Sequence, residues 1–189
     1  MSSGKLKKNI ISLDLEMNQP SGKIIQVGAC VGSIETGQIL EKKMVFVKID
    51  ENLSDFIIGL TGISQGQVDN GVGLGDAYLE LVKLHRDYNC FANPLTWGGG
   101  DSAYLLNKLK LEGISSDSFI FGRRWIDVKT IYQTWRMSNG YSIQGGLKSA
   151  LSKMGLNSVG RHHDALVDSI NTFRLYYKLM LLYRKKTNN

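Results

Sequence analysis

Two acidic residues near the start of the chain, Asp14 and Glu16, close an apolar run that reads Asn9-Ile-Ile-Ser-Leu-Asp-Leu-Glu-Met-Asn18. In a strand, side chains two apart share a face and lie roughly 6–7 Å apart along it. The two carboxylates would then stand side by side, which requires either a cation between them or a proton on one. Hard oxygen donors suit Mg2+ or Mn2+. Taken alone, the pair also suits a strand that simply ends in water. Two further acids sit where elements begin: Asp101 follows a strand-like run and starts a helix, and Asp168 lies in the first turns of the last helix. In open α/β sheets such ends gather in the crevice beyond the strand carboxyl ends, where ligands bind. Four carboxylates there could hold two divalent ions about 3.5–4 Å apart, an arrangement suited to phosphodiester cleavage because it activates a water and stabilises the leaving oxygen.

His163 offers the base, since a neutral imidazole accepts a proton from an attacking water near neutral pH. On one continuous helix, positions five apart lie about 140° from each other, whereas positions four apart stack. His163 must therefore sit in the loop before the helix if it is to meet Asp168, and Asp164 then reads as an amino-terminal cap or macrodipole partner in preference to a metal ligand. Beside these residues His85 and His162 have no assigned part.

The elements that would position this set can be read from pattern. After the first strand, Gln19-Pro20-Ser21-Gly22 is a turn, and strands over 23–33 and 39–49 are joined at Glu35-Thr36-Gly37, giving an antiparallel three-strand meander. Apolar residues between Phe56 and Ile63 fall in loop or short helical turns. Helices are expected from Asp76 to Arg86 and after Asp101, strands over 90–97 and 119–126, and further helices capped by Asp127 and opened by Ser142. The last helix runs from about Asp164 to Lys185 with a buried stripe of Leu166, Ile170, Phe173, Tyr177 and Met180 or Leu181. Strands alternating with helices after a meander imply an α/β fold, with helices packed on a mixed central sheet.

The chain has 189 residues, 42% of them hydrophobic, with only 2 prolines, which fits one globular domain. Its net charge of +6 favours polyanionic partners, although much of the excess lies in terminal clusters, Lys5, Lys7 and Lys8 and then Arg184, Lys185 and Lys186, that read as flexible tails over 1–8 and 184–189. Cys30 and Cys90 lie in separate apolar runs and read as reduced core thiols of a cytoplasmic protein. No stretch has the roughly 20 apolar residues of a membrane span, and no signal peptide is evident. A non-catalytic nucleic-acid-binding module would also fit the basic termini. Gly71-Val-Gly-Leu-Gly75 does not match a dinucleotide fingerprint.

Together the segments Asp14-Leu-Glu16, Asp101 and His163-Asp-Ala-Leu-Val-Asp168, in that order, resemble the three motifs of the DEDDh (DnaQ-like) 3′-5′ exonucleases. Leu60-Thr-Gly-Ile-Ser-Gln65, Thr96-Trp-Gly98, Trp125-Ile-Asp-Val-Lys129 and Gly160-Arg-His-His163 resemble the subgroup that trims histone mRNA and small interfering RNA, together with its KapD-like relatives. The likeness covers residues 10 to about 177. It implies a ribonuclease H-like fold with helices on both faces of the sheet. It also implies two divalent metals, Mg2+ or Mn2+, on Asp14, Glu16, Asp101 and Asp168, with His163 as general base. Met17 and Ile63 would hold the terminal nucleotide, by backbone contact and as an apolar wedge. The partner would be single-stranded nucleic acid with a free 3′ end, RNA before DNA, cut to 5′-mononucleotides. The chain departs from the family at Gln26, where a Glu is frequent, and at Gly99-Gly100, where bulkier residues form an aromatic wall.

Overall fold

β1 (Asn9–Met17) alternates two kinds of side chain, and that alternation organises the molecule. Ile11, Leu13 and Leu15 enter a core with α3 (Leu74–Asp87) and α4 (Asp101–Leu111). Ile10 enters a second core on the opposite face, with α5 (Val128–Ser138), α6 (Leu147–Lys153) and α7 (Ala165–Lys186). By the period of two, Ser12, Asp14 and Glu16 share the face of Ile10. The computed structural model describes residues 7–122 and 124–186, with side chains as far as Arg184. Lys5, the ends 1–6 and 187–189, and the side chains of Lys185 and Lys186 lie outside the described residues. Within them, Lys8 pairs with Glu35 at 3.0 Å and Arg184 donates to the Ile34 carbonyl at 2.9 Å, so these parts of the two basic clusters are tied to the body.

The sheet is mixed, in the order β3-β2-β1-β4-β5. β2 (Ile24–Ser33) and β3 (Ile39–Phe46) complete the antiparallel meander with β1, while β4 (Leu95–Thr96) and β5 (Ile126–Asp127) add in parallel. β2 is buried along its whole length. α7 lies directly on its backbone: a Cβ at Gly28 would fall 2.0 Å from the Ala165 carbonyl carbon, and one at Gly32 would fall 2.1 Å from the Phe173 ring. Short helices α1 (Asp55–Thr61) and α2 (Gln65–Asp69) follow β3, each capped by a serine side chain, Ser54 and Ser64. They enclose a third small cluster of Ile25, Leu53, Ile57, Ile63 and Val68.

The meander, the α3 helix and the last helix agree with the sequence reading, and four local expectations need correction. Of the strand expected over 90–97 only Leu95–Thr96 pairs as a strand, because Pro94 interrupts the run and has no N–H to give. Of the strand expected over 119–126 only Ile126 pairs, and Arg123 lies outside the described residues. Phe119 and Phe121 instead join Tyr78 and Trp125 in a ring cluster with centroids 5.5–6.4 Å apart. The Ile120 N–H goes to Tyr78 Oη at 2.8 Å rather than to a neighbouring strand. No helix opens at Ser142: α6 begins only at Leu147, after Gly145 at φ +118°. In α7, Ile170 and Phe173 are buried as expected, but so are Leu175 and Leu179 together with Ser169, Asn171 and Thr172, because α5 and α6 cover the side that the sheet leaves open.

Cys30 and Cys90 are free and buried, and burial pushes both thiols up to about 12. Among the described residues no helix is long and apolar enough to cross a membrane.

Candidate active site

The carboxyl end of β1 brings Asp14 and Glu16 to the amino-terminal end of α7. Opposite them on β2, in register with Asp14, stands Gly28, whose missing side chain admits the first turn of α7. Gln26, in register with Glu16 and 1% exposed, accepts the Ala165 N–H at 2.8 Å. Asp164 caps the helix as expected, taking the N–H groups of Leu166 and Val167 at 3.0 and 3.1 Å.

His163 precedes that cap and lies in the loop, as its geometry required. Its φ of +60° is the left-handed region that few residues other than glycine or asparagine adopt. The turn directs its backbone N–H to Asp168 Oδ2 at 3.1 Å and leaves its ring exposed over the site. One ligand atom each from Glu16, His163 and Asp168 lie within 4.8 Å of one another. Asp14 and Asp101 are not part of that triangle, but they act on it through charge.

Burial, and after it the charges of Glu16, Asp101, Asp168 and Asp164, hold the Asp14 carboxyl well above the usual carboxylate range. Burial followed by Asp168, Asp164 and Asp101 raises Glu16 to about 7. Asp101 is raised to about 6 by burial and by Asp127. Asp168 is raised by burial, against the lowering influence of the His163 N–H and of both neighbouring imidazoles. All four predicted acids therefore occupy one electrostatic site. Asp168 Oδ1 is buried and has no hydrogen-bond donor. Hard oxygen donors that repel one another, one of them orphaned, fit a divalent cation.

Asp101 is the first residue of α4, and Gly100 holds the cap position. The loop before it is held from below by Asp127, whose Oδ1 caps α5 through the Lys129 N–H at 2.9 Å and also takes the Gly98 N–H at 2.9 Å. No atom lies within 4 Å of a Cβ built at Gly98 or Gly100, and Trp97 is turned inward against Tyr132, with centroids 6.1 Å apart. This side of the site is open. Met17 follows an irregularity in the β1–β2 register and packs against the α3 core, while Ile63 is 3% exposed in the third cluster.

Two polar residues beside the site have roles that the sequence reading did not assign. Gln26 was marked only as a departure, although a lone polar residue inside the apolar run Ile24-Ile-Gln-Val was a signal. His162 had none: its Nδ1 lies 3.4 Å from Asp168 Oδ1.

No protein-family model matches the chain. A human protein named ERI1 exoribonuclease 2 is 29% identical over 182 aligned residues, covering 85% of this chain and 26% of that one. The rat 3′-5′ exoribonuclease 1 is 31% identical over 148, covering 70% and 39%. A Bacillus subtilis protein named probable 3′-5′ exonuclease KapD is 25% identical over 181, covering 89% and 82%. The chain thus spans about a quarter of the ERI1 exoribonuclease 2 relative and most of the KapD relative. Among solved structures, the nuclease domain of 3′hExo, described as a DEDDh family member bound to rAMP, superposes with a TM-score of 0.80 at 24% identity, over 94% of each chain. With the three motifs in order and their side chains gathered at one end of this sheet, the chain is similar along most of its length to proteins named 3′-5′ exoribonucleases and shares the fold of a DEDDh nuclease domain.

Proposed function

We propose that this chain is a metal-dependent exonuclease that trims single-stranded RNA from its 3′ end and releases 5′-mononucleotides. The observation that carries the proposal is the meeting of Asp14, Glu16, Asp101 and Asp168 with His163 around a buried, unpartnered carboxylate oxygen. The preference for RNA draws support from relatives named exoribonucleases, and from a structural neighbour described as recognising the 3′ end of a histone mRNA stem-loop.

Asp14, Glu16, Asp101 and Asp168 would hold two divalent cations, Mg2+ or Mn2+, which supply positive charge to the scissile phosphate and lower the pKa of the attacking water. His163, exposed and hinged at its left-handed turn, takes the proton from that water. Asp168 accepts the backbone N–H of His163, which ties the base to the ligand. Met17 would border the terminal nucleotide through its backbone, and Ile63, buried as it is, would back the same wall through Thr61–Ser64. The open glycine side next to Asp101 leaves room for a base that no aromatic residue covers. We read the chain as one exonuclease domain working in the cytoplasm; the free buried thiols support a reducing compartment.

A gel time course on 5′-labelled RNA and DNA of one sequence tests this, run with Mg2+, with Mn2+ and with EDTA, on the parent and on His163→Ala. A ladder that shortens from the 3′ end, faster on RNA and lost with EDTA and in the variant, is the expected result. Intact substrate in every lane with a shifted band on a native gel would replace the reading with a non-catalytic binding module.

A further inference from the structure

The loop that carries the base also carries a second imidazole, on the other side of Asp168. We propose that His162 is a positioning residue: a hydrogen-bond relay from Asn171 through Ser158 fixes its proton on Nδ1 and aims it at Asp168 Oδ1, holding the carboxylate for a divalent cation. This rests on the metal site proposed above.

The far end of the relay leaves the Ser158 proton free for His162. Asn171 is fully buried in α7, and its Oδ1 accepts from the Val159 N–H at 3.2 Å and from Arg174 Nη1 at 3.2 Å. Two donors on one atom identify that atom as the amide oxygen, so the opposite atom must be the NH2 group. That nitrogen donates to the Val159 carbonyl at 3.1 Å and to Ser158 Oγ at 3.3 Å. Ser158 Oγ, its own proton still free to give, lies 3.0 Å from His162 Nε2 and can donate it there. A neutral imidazole that accepts at Nε2 carries its own proton on Nδ1. Nδ1 is the atom 3.4 Å from Asp168 Oδ1, and a carboxylate oxygen at that distance favours a proton there over a bare lone pair.

That distance exceeds an ordinary hydrogen bond, and Oδ1 has no donor. The Nδ1–H dipole therefore orients the carboxylate without saturating the oxygen, while the His163 N–H holds Oδ2 at 3.1 Å. Adjacent residues of one loop thus steady the two oxygens of a single ligand. Outer partners of this kind typically change metal affinity by about 10- to 100-fold when removed.

Two measurements on the full chain test the relay without nucleic acid, so their failure is distinguishable from failure of the exonuclease assay. Long-range 15N NMR of the metal-free protein at alkaline pH should show His162 with Nδ1 protonated and Nε2 bare, and Ser158→Ala should shift it toward the Nε2–H form. An Nε2–H tautomer in the parent overturns the proposal. Calorimetric titration with Mn2+ alone should show affinity about 10-fold weaker in His162→Ala. His162→Asn, whose amide can place an N–H near the lost Nδ1, should recover most of it. Parental affinity in His162→Ala, or no recovery in a folded His162→Asn, overturns it equally.

Discussion

Replacing Gly28 by alanine should pull the two halves of the active site apart. A Cβ there would fall 2.0 Å from the Ala165 carbonyl carbon, 2.1 Å from the Leu166 nitrogen and 2.3 Å from the Ala165 oxygen. All three are backbone atoms of the first turn of α7, so no side chain can rotate out of the way. Restoring an ordinary contact of about 3.5 Å requires roughly 1.5 Å of separation between β2 and the helix. Asp14 and Glu16 stay with the sheet while His163 and Asp168 leave with α7. A misplacement of about 1 Å commonly costs on the order of 100-fold in rate, and overpacking costs about 1–3 kcal/mol. In a chain of this size each kcal/mol lowers Tm by about 2–4 °C. The assay is the rate of 3′-end trimming of labelled RNA, measured beside Mn2+ affinity and thermal unfolding. Gly66→Ala, on α2 with no atom within 4 Å of the added carbon, serves as the control. A Gly28→Ala protein with parental rate and parental Tm would refute the reasoning, because the helix would then not rest on the strand as described.

Three other outcomes are expected. In metal-free protein, Glu16 at about 7 and Asp101 at about 6 keep protons that the unfolded chain releases near its ordinary carboxylate values, so stability should fall as pH rises from about 4.5 to 7. Differential scanning fluorimetry with EDTA should show that fall, Glu16→Gln should flatten it, and Mn2+ should raise Tm more at pH 8 than at pH 5. His163→Gly and His163→Ala should both lose at least about 100-fold in trimming rate, yet chemical denaturation should find the glycine variant more stable by about 1 kcal/mol, since the left-handed turn costs glycine nothing. Asp127→Ala should lower stability by about 1–2 kcal/mol through loss of the α5 cap. It should also weaken Mn2+ binding, because the Gly98 N–H just before Asp101 loses its acceptor.

The placement of the candidate set was legible because its residues obey local rules. Alternation along β1 places Asp14 and Glu16 together, and helical geometry puts His163 off α7 if it is to meet Asp168, with Asp164 then read as a cap. What stayed hidden depends on contacts distant in sequence. Gln26 meets Ala165 across 139 positions, and no periodicity encodes that meeting. Phe119 and Phe121 look like strand residues because they are apolar and alternate, but their partners are the rings of Tyr78 and Trp125 rather than a neighbouring backbone. His162 meets Ser158, which Asn171 of another element holds in turn, and sequence adjacency to His163 does not reveal that meeting.

The alternation along β1 also links folding to catalysis. Sliding this strand by one residue against β2 would turn Leu13 and Leu15 toward α7 and drive Asp14 and Glu16 into the core beside α3 and α4. The same shift would strand two carboxyl groups in an apolar interior and take apart the proposed metal site. A misregistered chain would therefore be both unstable and inert, so a population of this protein that has kept its cores has also kept its carboxylates in place. Selection for a well-packed strand and selection for a working site act here on one and the same variable.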